Sequence, residues 1–251
     1  MKFKLFLFLL FFSKIGYSQS EKLDEYKVAN IKNVIALFKQ KDSSKISNII
    51  SFPLRREYPI PNIKDKNEFK QRFSEVFDSI LIEKIAHSKI EQWSEVGWRG
   101  IMLDDGVIWI TSDKGKITAV NYQSDFEKKL RKDLVAKENL HPSLKTFKNP
   151  IYSIKTKKFL IRIDELANHT YRYASWKIDE KESSKPDMIL NNGEFIFQGS
   201  GGNHVITFSN KNYKYKVYRN MIGEDHAADI TLVVEKDGQV ILTENGTLIT
   251  K

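Results

Sequence analysis

The sequence predicts an α+β protein in two parts: a helical segment with an antiparallel meander, then an all-β half that forms a sandwich or small barrel. Three observations carry that expectation. Apolar residues recur at helical spacing from Val28 to Ile80, the period switches to two near Arg99, and beyond Leu140 short β-rich runs follow one another at even intervals. Asn, Asp and Gly stand between those runs, and these residues tolerate the positive φ of tight hairpins. The 251 residues suffice for two cores, and Pro142 marks a break in the pattern. The expected parts are a leader at 1–18, an α+β domain at 19–138 and an all-β domain at 139–251.

In chain order, Val28, Ile31, Val34, Ile35 and Phe38 give one apolar stripe along a helix over 21–39. A second short helix is expected over 44–50. Pro53, Pro59 and Pro61 then impose an extended connection. Asp65 followed three residues later by Glu68 resembles a capping box, and Phe69, Phe73, Val76, Phe77 and Ile80 carry a helix, with a break allowed, to about residue 90. Runs at 99–103, 107–112 and 116–122 read as strands turned by Asp105-Gly106 and Asp113-Lys114-Gly115. Phe126, Leu130 and Leu134 predict one more amphipathic helix. In the second half strands are expected at 159–164, 170–178, 188–190, 194–198, 205–208, 213–218, 230–235, 239–243 and 247–250. Asn192-Gly193, residues 210–212, Asp237-Gly238 and Asn245-Gly246 are read as their turns.

The chain opens with Lys2 and Lys4, an apolar run from Leu5 to Phe12, and Gly16 and Ser18 at the small-residue positions of a cleavage site. That order predicts a signal peptide cut before Gln19 and a periplasmic or secreted protein, since the apolar run is far shorter than the roughly 20 residues of a spanning helix. No cysteine occurs, which excludes thiol chemistry and disulfides. The formal net charge is +9, with the basic residues dispersed rather than gathered in a stripe. A basic protein outside the cytoplasm meets anionic glycans, headgroups and acidic proteins rather than nucleic acid. The expected partners are therefore an envelope protein or an anionic or glycan ligand, with no transmembrane segment after cleavage.

Helices followed by an apolar antiparallel meander give residues 21–136 an element order that resembles the nuclear transport factor two-like superfamily, a cone-shaped fold in which helices pack into the hollow of a curved sheet. The resemblance lies in the order of elements and includes no residue motif. It implies a fold but no single function, because enzymes, binding proteins and accessory domains share it. The helix after the meander departs from the simplest pattern.

No residues have the spacing of a known reaction centre. Ile85-Ala86-His87-Ser88 and Gly199-Ser200-Gly201-Gly202 resemble the histidine and serine segments of chymotrypsin-like proteases. The helical flanks of His87 and the Gly in place of the Asp before the serine argue against that reading. His87, His141, His169, His204 and His226 lack a metal-ligand spacing, and no cofactor is called for. Binding features are stronger. Gly97-Trp98-Arg99-Gly100 sets an aromatic beside a guanidinium between glycines, and Tyr171-Arg172-Tyr173-Ala174-Ser175-Trp176 alternates along a strand with Arg172 and Trp176 on one face. Trp98, Arg99, Arg172, Trp176 and His204 are the candidate ligand-binding residues. The expected role is a non-enzymatic, inhibitor-like binding module, the alternative being a hydrolase with a site in the N-terminal domain or at the junction.

Overall fold

The computed structural model describes residues 23–199, 201–221 and 228–250. Helix α1 (Glu25–Gln40) starts at Asp24, whose carboxylate accepts from the Lys27 amide, and buries Ile31, Val34 and Phe38. After α2 (Ser43–Ser47) and the proline-rich connection come α3 (Lys66–Val76) and α4 (Ser79–Ala86). The break between them falls where Asp78 turns its carboxylate onto the Leu81 amide and caps a new helix. Asp65 caps α3 as expected, but Glu68 reaches back to the Lys64 amide at 2.9 Å rather than to that of Asp65. Strands β1 (Trp93–Glu95), β2 (Ile101–Leu103), β3 (Ile108–Ile110) and β4 (Ile117–Val120) form an antiparallel sheet in chain order. Ile101, Leu103, Ile108 and Ile110 share one core with the apolar faces of α1, α3 and α4.

Helix α5 (Asp125–Ala136) follows, and its expected apolar stripe does not face the core. Phe126 is 52% exposed, whereas the residue that α5 buries fully is Glu127. Glu127 receives Arg56 on both carboxylate oxygens, while the same guanidinium donates to the Val120 and Tyr122 carbonyls at 2.8 and 2.9 Å. An ion pair, not an apolar seam, therefore ties α5 to the proline-rich connection.

The second half is an up-and-down antiparallel barrel. Its strands are β5 (Asn149–Lys155), β6 (Phe159–Glu165), β7 (Tyr171–Lys177), β8 (Met188–Phe197), β9 (His204–Asn210), β10 (Tyr213–Arg219), β11 (Ile230–Lys236) and β12 (Gln239–Leu248). Each pairs with its neighbour in sequence, and β12 returns to β5 to close the ring. This corrects the expected α+β class: among the described residues strands hold 35% against 28% in helices, and a closed eight-stranded barrel replaces the open choice between sandwich and barrel. Strand is more extensive than the sequence pattern predicts. Neither β1 nor β5 was expected, and β8 and β12 run unbroken through the two Asn-Gly pairs read as turns. Gly193 and Gly246 make room inside the barrel, since a Cβ there would stand 2.2 Å from the Phe208 ring and 2.8 Å from Ile154. Asp237-Gly238 is a true turn, with φ of 51° and 80°.

Alternation along β6 and β7 separates two buried faces. Ile161, Ile163 and Tyr173 fill the bore with Ile206, Phe208 and Leu232. On the outside, Leu160, Ala174 and Trp176 lie against Leu140 and Leu144 of the segment that precedes β5. Among the described residues no helix is long and apolar enough to cross a membrane.

Candidate functional site

The bore is apolar through its middle and polar at one end. Register places Phe197, His204 and Arg219 side by side across β8, β9 and β10 at that end. Tyr152 reaches them from β5, which stands opposite β9 in the closed ring. The His204 Nδ1–H donates to the Gly202 carbonyl at 2.8 Å, which leaves Nε2 to accept the Tyr152 hydroxyl proton at 2.7 Å. This hydrogen bond crosses the bore and makes a floor. Phe195 stacks on His204 with ring centroids 4.4 Å apart, and Phe197 meets Phe195 edge-on at 4.9 Å.

Above the floor the proline-rich connection brings Arg55, Glu57 and Tyr58 over the barrel mouth, enclosing a cleft of about 440 Å³. Arg55 Nη2 and Arg219 Nη1 converge on the same Asp229 Oδ1, at 3.1 and 3.3 Å. Arg219 is buried, while the Asp229 side chain is 49% exposed. The remaining cleft arginines are matched to acids: Arg56 to Glu127, and Arg131 to Glu57 at 3.3 Å. Burial, with the Arg219 guanidinium alongside, lowers the pKa of Arg55. Burial likewise lowers that of His204, with the Gly202 carbonyl pulling it back and Arg219 adding to the depression, so the imidazole is neutral. The Tyr152 hydroxyl is pushed up to about 12 by burial, against the pull of Arg219, and stays protonated.

A second cleft of about 500 Å³ adjoins the first through Arg55, Gly202 and Met221 and runs along the outer face of the N-terminal sheet. Arg99 lines it, with its guanidinium 5.4 Å from the Trp109 ring centroid. Two of the residues expected from sequence, Arg99 and His204, thus stand in neighbouring parts of one groove between the halves. Trp98 is largely exposed and lines neither cleft.

Arg172 and Trp176 do not form the expected adhesive face. Both are buried on the outside of β7 by residues 140–147 and by the loop before β8. Arg172 pairs with Asp164 at 2.7 Å and donates to the Leu144 and Thr146 carbonyls, while Trp176 Nε1–H donates to the Ser184 carbonyl. Arg172 and Trp176 do share one face of β7, but a covering chain segment leaves no trace in the strand it covers. His87 sits exposed at the end of α4 against Glu83, away from the cleft. Ser200, His226 and the leader lie outside the described residues. Among the described residues no group of three or more His, Asp or Glu could hold a metal.

Sequence reading missed Arg55, Tyr152, Phe195, Arg219 and Asp229. Only Arg55 had a local signal, as half of an arginine pair in a proline-rich connection. The others become a set through barrel closure. Comparison with known proteins finds no matching family, no matching curated protein and no matching solved structure.

Proposed function

We propose that this chain is an exported cell-envelope protein, freed of residues 1–18, that binds a small anionic ligand without catalysis in the cleft between its helical part and its barrel mouth. The observation that carries this reading is the convergence of Arg55 and Arg219 on one half-exposed carboxylate beside an aromatic floor. Two guanidiniums recognise an anionic group, and rings beside them accept an apolar body or the flat face of a sugar. The cleft volume falls in the range of small-molecule sites. His204 has both ring nitrogens engaged, on Gly202 and Tyr152, which suits a structural floor better than a general base.

Thermal unfolding of the mature protein with matched ligands tests the reading. Glucuronate or 2-naphthoate is expected to raise the midpoint in a concentration-dependent way, and glucose or 2-naphthalenemethanol to leave it unchanged. Equal effects from charged and neutral members of each pair would remove the basis for an anion site.

A further inference from the structure

We propose that the barrel mouth is a carboxylate site whose seat is held in the ligand-free protein by the Asp229 side chain, and that a ligand carboxylate binds by replacing it. The inference rests on the reading of this cleft as the ligand site and names the chemical class it takes.

Three observations support it. First, the Asp229 carboxylate differs from the acids that neutralise the other buried arginines. Glu127, Glu138 and Asp164 are fully buried with Arg56 and Arg162, whereas Asp229 meets buried Arg219 from the solvent side. A carboxylate with that exposure leaves its partners at little cost in desolvation.

Second, the arginines keep their places without it. Arg219 Nη1 also donates to the backbone carbonyl of Asp229 at 2.9 Å, and that carbonyl accepts the Asn220 amide at 2.9 Å. Arg55 Nη1 lies 3.5 Å from the Asn220 carbonyl and 3.3 Å from Met221 Sδ. A main-chain carbonyl thus holds Arg219 independently of the Asp229 carboxylate, and the Asn220 carbonyl with the Met221 sulfur places Arg55, so the seat would persist if the Asp229 side chain left it.

Third, the shape suits an anion with a flat apolar body. Phe195, Phe197 and Met221 line the cleft together with the two arginines. The incoming carboxylate would accept the same guanidinium hydrogens that Asp229 now accepts.

The test is calorimetric titration of the mature protein and of its Asp229→Asn and Arg55→Gln variants with 2-naphthoate and with inorganic phosphate. Asn keeps the shape and removes the competing charge, so Asp229→Asn is expected to bind naphthoate roughly tenfold more tightly, and Arg55→Gln roughly tenfold more weakly. Asp229→Ser takes the place of the Asn variant if circular dichroism shows the latter unfolded. Unchanged or weaker naphthoate binding in the folded Asp229 variant, with loss in Arg55→Gln, would overturn the exchange and leave the cleft as the ligand site. Phosphate binding tighter than naphthoate would overturn the carboxylate assignment. Affinity unaltered by either variant, or no binding at all, would overturn both the seat and the proposed function.

Discussion

At Gly193 the absence of one methyl group lets Phe208 fill the bore. A Cβ would meet the Phe208 ring at 2.2 Å, and the ring is fully buried among neighbours that leave it nowhere to go. Gly193→Ala is therefore expected to lower unfolding free energy by about 1–3 kcal/mol, read as a reduced denaturant midpoint at unchanged slope. Asn192-Gly193 and Asp237-Gly238 are alike as dipeptides, yet one lies inside β8 and the other turns the chain between β11 and β12. What separates them is the Phe208 ring from the neighbouring strand β9, which no local window contains. A second residue-scale expectation concerns acid. Asn149 and Lys148, with His169, hold the Glu165 carboxyl down to about 2 from an ordinary 4.5. The folded state thus prefers the ionised form, and its contribution is complete above pH 4.5 and lost as pH falls from there toward 2. Glu165→Gln is expected to lessen the fall in stability across that window and leave the slope above it unchanged, as measured by urea unfolding at stepped pH.

Among the elements, α5 separates what pattern conveys from what it hides. Its existence is legible, since Phe126, Leu130 and Leu134 recur at helical spacing among charges, while its start comes from the structure, where Ser124 accepts the Glu127 amide. Its orientation is not legible. A charged residue in a charged helix gives no sign that it will be the one buried, and Glu127 is buried because Arg56 arrives from a connection 71 positions away. Glu127→Gln would leave the Arg56 guanidinium buried without its counter-charge, at a cost of about 3–5 kcal/mol. Replacing both residues by apolar ones is expected to cost less than that single change, which a double-mutant cycle by chemical denaturation measures directly. Because Arg55 neighbours Arg56, the single variant is also expected to weaken anion binding at the barrel mouth through a loosened connection. The N-terminal strands were similarly half legible: β2, β3 and β4 fall within the expected runs, while β1, carrying Trp93 into the core, follows a helix with no turn signal before it.

For the whole molecule, strand number and spacing could be read from the sequence far more readily than closure. Whether consecutive hairpins stack as two sheets or curl into one ring depends on the pairing of β12 with β5, through Thr247 and Leu248 against Lys155 and Ile154, with Ile249 donating to the Ser153 carbonyl. That pairing joins the two ends of the half and has no local signature. It also creates the candidate site, because only a closed ring sets Tyr152 across the bore from His204 and places Arg219 beneath Arg55. Arg99 and His204 could be picked from sequence by chemistry alone, whereas Arg172 and Trp176 were misplaced by a covering segment that chemistry does not reveal. The proposed functional surface is the barrel mouth, with an organic anion as its ligand. The most direct measurement is nuclear magnetic resonance of the isotope-labelled mature protein titrated with 2-naphthoate, following backbone amides and arginine Hε signals. Saturable shifts gathered at Arg55, Tyr152, Phe195, His204 and Arg219 are expected; shifts spread evenly over exposed lysines, or saturable only at a site remote from these five residues, would contradict it.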